Sequence, residues 1–158
     1  MNILKKILTF TSAIFISTIT IAQDKPLFEL PAPNSLVYDN INFFSPEDKE
    51  YLNNKLIALD KETSVQIVVA ITPEMYGYEK DDYATRLLES WKPGAKGKDN
   101  GFVILIKPKT DDSKGEVFIA TGYGVEQFVT DAISKKIIDN EVIPEFKKEI
   151  ILPELIKR

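Results

Sequence analysis

Two short stretches hold the side chains best suited to chemistry: Lys98-Asp99-Asn100-Gly101, and Thr121-Gly122-Tyr123-Gly124-Val125-Glu126 running on to Thr130-Asp131. Gly122 and Gly124 sit between an apolar run, Val117-Phe118-Ile119-Ala120, and a helical pattern. Glycines at such a junction either cradle a phosphate or turn the chain. A dinucleotide fingerprint needs a third glycine where Gln127 stands, and it would not place the acid Glu126 against a pyrophosphate. No Gly-Lys-Ser/Thr follows, so a P-loop is absent as well. A nucleotide partner is not expected, and the two glycines are read as left-handed turn geometry. Asp99 and Asn100 form either an ordinary turn ahead of a strand or a pair of oxygen ligands facing a cleft. They lack the alternating acids of an EF-hand loop. Asp131 falls in the first turn of a helix, where a carboxylate is favoured in its own right. Glu126 has no such role beyond exposure, and Asp39 either caps or turns the end of its strand. Tyr123 is either a stacking platform or half-buried packing.

The residues that are missing narrow the chemistry further. The chain has no cysteine and no histidine. Disulfides, thiolate nucleophiles, Ser-His-Asp catalysis and His or Cys sites for zinc or copper are therefore excluded. Hard oxygen donors are abundant and suit calcium or magnesium. Several carboxylates brought together repel one another, and a divalent cation relieves that repulsion.

Residues 1–22 differ from the rest. Lys5 and Lys6 precede a mostly apolar run, and Thr20-Ile21-Ala22 offers small residues at a cleavage point. This is the pattern of a secretory signal peptide, and the run is short of the ~20 residues that span a bilayer. No cysteine follows it, so lipid anchoring is excluded. The mature protein is expected outside the cytoplasm, periplasmic or extracellular. Loss of the two leader lysines takes 20 basic residues to 18 against 24 acidic, a net charge of −6. Such a balance argues against nucleic acid.

An extended arm is expected over 23–35, which holds Pro26, Pro31 and Pro33, and the folded domain over 36–158. A short strand at 36–38 leads to a helix announced by Ser45-Pro46-Glu47-Asp48: a cap, a proline at the first helical position, and acids at the positive end. Leu52, Leu56 and Leu59 give it one buried face. Strands are expected at 65–71 and 101–106, each apolar enough to be covered on both sides. Between them a helix over 80–91 carries Tyr83, Leu87 and Trp91 and stops at Pro93-Gly94. A charged tip at 107–115, with Asp111-Asp112 as solubilising residues, joins a further strand at 116–120. The link is too short for a crossover, so the last two strands should be antiparallel. A final helix from Thr130 turns Ile133, Ile137 and Ile138 inward and is interrupted by Pro144. The fold class is α/β: a three-layer α/β/α sandwich around a small mixed sheet.

In order along the chain, Val37-Tyr38-Asp39, Leu52 and Leu56, Gln66-Ile67-Val68-Val69, Trp91, Pro93-Gly94, Asp99-Asn100-Gly101, Thr121-Gly122-Tyr123-Gly124-Val125-Glu126, Thr130-Asp131-Ala132 and Ile143-Pro144-Glu145-Phe146 resemble the TPM domain family. The resemblance covers about 36–148. It implies an α/β/α domain, exported or membrane-tethered, that binds calcium or magnesium through loop acids. By position those acids would be Asp39, Asp99, Asn100, Glu126 and Asp131. The resemblance also implies one of two roles: a binding, assembly or quality-control module for envelope or membrane proteins, or a metal-dependent acid-phosphatase-like hydrolase of phosphate monoesters. Where many members continue into a glycine-rich segment and often a membrane helix, here Ile150-Ile151-Leu152-Pro153 is followed by five residues.

Overall fold

A computed structural model describes residues 32–144. The leader at 1–22, most of the arm at 23–35, and residues 145–158 lie outside the described residues.

The first strand, β1 (Val37–Asp39), is short and buried at Val37. Helix α1 (Pro46–Thr63) starts as its sequence dictates. Ser45 is extended, and its hydroxyl accepts the Asp48 N–H at 3.1 Å, so one orphan donor of the first turn is satisfied. The helix ends where Ser64 turns left-handed. Strand β2 (Gln66–Ile71) follows, then α2 (Lys80–Trp91), closed by a left-handed Lys92 whose N–H reaches the Leu88 carbonyl at 2.9 Å ahead of Pro93. Strands β3 (Gly101–Lys107) and β4 (Glu116–Thr121) are joined by the polar tip, in which the Thr110 N–H meets the Ser113 carbonyl.

The sheet order is β1-β2-β3-β4, with β1, β2 and β3 parallel and β4 antiparallel to β3. Side chains alternate across it with period two. Val69, Ile71 and Ile106 join Val37 and Leu56 under α1, while Ala70, Val103, Leu105 and Ala120 join Tyr83, Ala84 and Leu87 under α2. The two helices therefore cover opposite faces and complete the three layers. Both steps, β1 to β2 and β2 to β3, run the same way along the sheet. Right-handed crossovers in one direction would leave both helices on one face, so one of the two is left-handed, an uncommon arrangement.

The C-terminal segment departs from expectation. One turn, α3 (Tyr123–Glu126), precedes α4 (Asp131–Ile137). Ser134 is the buried residue of α4, whereas Ile133 and Ile137 stay 40% and 38% exposed. The apolar spacing was real, but α4 contacts β4 through a face one residue removed from it. Pro144, expected to interrupt the helix, is itself helical, and the irregularity lies just ahead of it. Ile138–Val142 widens into a π turn, in which the Ile143 N–H bonds the Ile138 carbonyl. A proline ring clashes with the carbonyl four residues back, and a wider turn just ahead of it relieves that clash.

Tyr83 is 2% exposed, and among the described residues its phenol lacks a hydrogen-bond partner. Burial pushes it from 10.0 up to about 12, partly offset by the neighbouring Thr72 hydroxyl, which is itself bonded to the Glu74 carbonyl at 2.7 Å. A raised phenol favours folding below the unfolded pKa and loses that contribution as pH climbs through the folded one. Stability should hold to about pH 10 and then fall by on the order of 2 kcal/mol by about pH 12. In urea titrations across that range, Tyr83→Phe is expected to remove this part of the decline and to cost little at neutral pH.

Candidate functional site

Strand β3 begins where β4 ends: Phe102 lies opposite Thr121, and the Gly122 N–H bonds the Gly101 carbonyl at 2.9 Å. The turn before β3 and the segment after β4 are therefore brought to one rim of the sheet. They touch backbone to backbone. The Gly124 N–H bonds the Asp99 carbonyl at 2.9 Å, with Asp99 itself in the left-handed region at φ 46°. Aspartate tolerates that region better than most residues.

The two glycines are required here, though not for the reason their sequence suggests. Gly122 has φ −71° and ψ 153°, open to any residue, and Gly124 is not left-handed either. A Cβ on Gly122 would stand 2.1 Å from the Asp99 carbonyl oxygen, and one on Gly124 would stand 2.0 Å from that of Lys98. What the glycines supply is close approach, not turn geometry.

This contact brings Asp99, Glu126 and Asp131 to the wall of one open depression of about 600 Å³. All three are exposed. Helix α2 contributes Asp81, Thr85, Leu88 and Glu89, its closing residue Lys92 joins them, and β4 contributes residues 118–121. Asp81, Thr85 and Glu89 recur every fourth residue, so they share one side of the helix. That spacing is present in the sequence, beside the apolar spacing of the core face. Tyr123 is 86% exposed at the rim, which rules out half-buried packing.

The other two residues assigned to the cluster lie elsewhere. The Asn100 side chain is a structural clip: its Oδ1 accepts the Ala95 N–H at 2.9 Å and its Nδ2 donates to the Ser64 carbonyl at 2.6 Å. It ties the end of α1 to the turn after α2 and does not line the depression. Asp39 pairs with Ile71, which pairs with Ile106, so it lies at the far end of the sheet, roughly 17 Å along the strands from the 99–100 turn. It is buried. Its Oδ1 accepts the Ile41 and Phe43 N–H groups at 3.2 and 3.0 Å, and its Oδ2 accepts that of Phe44 at 3.0 Å. Asp39 is thus the cap of its own loop and takes no part in the rim cluster.

A family model described as the TPM domain matches residues 37–151, most of the chain. The chain belongs to the TPM-domain family. Its fold is also similar to the solution NMR structure of the N-terminal domain of a protein from P. gingivalis. That structure is 26% identical with a TM-score of 0.62, and the match covers 80% of this chain and 78% of that one. Among curated proteins none matches it.

The acidic side chains at this rim are carboxylates, whose oxygens suit a hard cation and not a soft one. The carboxylates are spread, however. Among the described residues no three acids stand close enough to form a ready-made metal cage. A cation would have to draw Asp99, Glu126 and Asp131 together or keep part of its hydration shell.

Gly124→Ala is expected to cost about 2–3 kcal/mol in urea unfolding, because the new methyl meets backbone that cannot move aside cheaply. Gly115→Ala serves as the comparison: its Cβ finds 3.2 Å to the nearest atom, and it should cost under about 1 kcal/mol.

Proposed function

We propose that this TPM domain is an exported binding module that takes a calcium or magnesium ion at the rim formed by Asp99, Glu126 and Asp131 and engages an envelope or membrane protein. The observation that carries the reading is the convergence on one depression of Asp99 with Glu126 and Asp131, which follow it by 27 and 32 residues. They sit on two segments that the 98–101 and 122–124 contact already holds together. A cation there would offset their mutual repulsion and stiffen the rim. Export rests on the leader pattern of residues 1–22. Among the described residues no helix is long and apolar enough to cross a membrane.

The lining favours binding over phosphate ester hydrolysis. Five acids (Asp81, Glu89, Asp99, Glu126 and Asp131) face one base, Lys92. A phosphate dianion would be repelled there. Arg86 is engaged elsewhere, with its Nε 2.9 Å from Asp82 and its guanidinium 4.8 Å from the Tyr78 ring centre. The same negative field argues against nucleotides and nucleic acids.

Calorimetric titration of the metal-free protein with calcium and with magnesium should show binding with Kd on the order of 10⁻⁴–10⁻³ M, the range of extracellular calcium modules. Melting temperature should rise with it. Asp99→Asn and Glu126→Gln should each weaken binding at least about tenfold, while Asp39→Asn should destabilise the fold without changing affinity in the protein that remains folded. Absence of both heat and a melting shift would end the reading. Turnover of a chromogenic phosphate ester that is lost in Asp99→Ala would favour the hydrolase alternative.

A further inference from the structure

Strand β4 is the last in the sheet order, so among the described residues no strand lies along its outer edge. In an antiparallel pair, alternate residues turn their backbone groups inward and outward. The Gly122 N–H bonds Gly101, which makes that an inward pair, and the alternation from it sets Ala120 and Phe118 inward too. Val117, Ile119 and Thr121 therefore direct N–H and C=O outward. No hydrogen bond to these outer groups is found among the described residues.

Most edge strands are protected by lysine, proline, a bulge or a covering loop. This one runs in regular register from Glu116 to Thr121 and carries neither proline nor lysine. Its last four residues, 118–121, line the depression described above. A run of consecutive residues is what a groove exposes when it follows a strand edge instead of one face. One wall is α2, whose Leu88 packs against the same core cluster as Phe118, and the other carries Asp99, Glu126 and Asp131.

We propose that this groove binds an extended cationic segment of a partner protein, which adds to β4 as a fifth strand. Backbone pairing with Val117, Ile119 and Thr121 supplies hydrogen bonds independent of sequence. Alternate side chains then reach the two walls: apolar ones the Leu88 and Phe118 side, basic ones the acids opposite. Charge decides the occupant. Five acids against one lysine select a basic strand. The same acids disfavour edge-to-edge pairing with a second copy, which would set one acidic groove against another. The proposal names a partner class for the binding module and rests on that reading, but it does not require the cation.

The test is fluorescence anisotropy of the full chain in EDTA with a labelled decapeptide of alternating lysine and valine. Saturable binding is expected. A peptide N-methylated at alternate residues on its pairing edge should bind at least about tenfold more weakly, as should one with glutamate in place of lysine. The Asp81→Lys, Glu89→Lys double variant should weaken binding by at least about fivefold, and both residues are exposed on α2. Hydrogen exchange of the Ile119 and Thr121 amides should slow at least about tenfold on saturation. Equal affinity for the methylated peptide, unchanged exchange at these amides, no binding at all, or a dimer in sizing experiments that excludes the peptide would each overturn strand addition. Working in EDTA separates the two ideas: calcium binding without peptide binding removes only this proposal, and peptide binding without calcium binding removes only the metal site.

Discussion

The site depends on one backbone contact. At Gly122 and Gly124 the chain leaving β4 lies against the carbonyls of Lys98 and Asp99 more closely than any side chain would allow. Two hydrogen bonds, from Gly122 to Gly101 and from Gly124 to Asp99, fix the approach. Everything at the rim follows from it. Asp99 and Glu126 come to line one depression, the one-turn helix α3 is seated on the 98–99 turn, and Asp131 lines the same depression. Loosening that contact would let the acids separate under their own repulsion.

The opposite end of the sheet shows how similar residues come to do a different job. The loops leaving β1 and β2 go to helices on opposite faces, and α/β sheets ordinarily open a ligand crevice at such a point. Here Asp39 lies at that point and gives both carboxylate oxygens to the backbone of the 41–44 loop, while Lys49 Nζ donates to its carbonyl at 2.9 Å. A carboxylate bonded by three N–H groups is committed to structure. Among the described residues the exposed acids at the other rim have no such backbone partners, so their oxygens are not committed in that way.

The groove along β4 sits between these two levels of description. Its floor is main chain and its walls are side chains from α2 and from the segment after the clamp. An open edge beside a dense patch of one charge is a hazard for self-association and an opening for a partner of opposite charge. A single surface can answer to both a cation and a basic strand because both are drawn by the same acids.

Much of the architecture was legible from local chemistry. Ser45-Pro46 started a helix, the apolar runs 65–71 and 101–106 made central strands, and the short 107–115 link forced antiparallel pairing, because capping, burial on two faces and loop length act over a few residues. The absence of histidine and cysteine fixed the donor chemistry without reference to any fold. The sequence could not say which end of the sheet each acid would occupy, because that depends on strand direction and register summed over the whole chain. Nor could it say which side of α4 would be buried, where the choice fell on Ser134 and left Ile133 and Ile137 outside. The glycine pair shows the division most plainly. That residues 122 and 124 had to be glycine was visible in the sequence, but why was not. Dihedral preference is a property of one residue, whereas close approach exists only when a second stretch of backbone arrives from elsewhere in the folded chain.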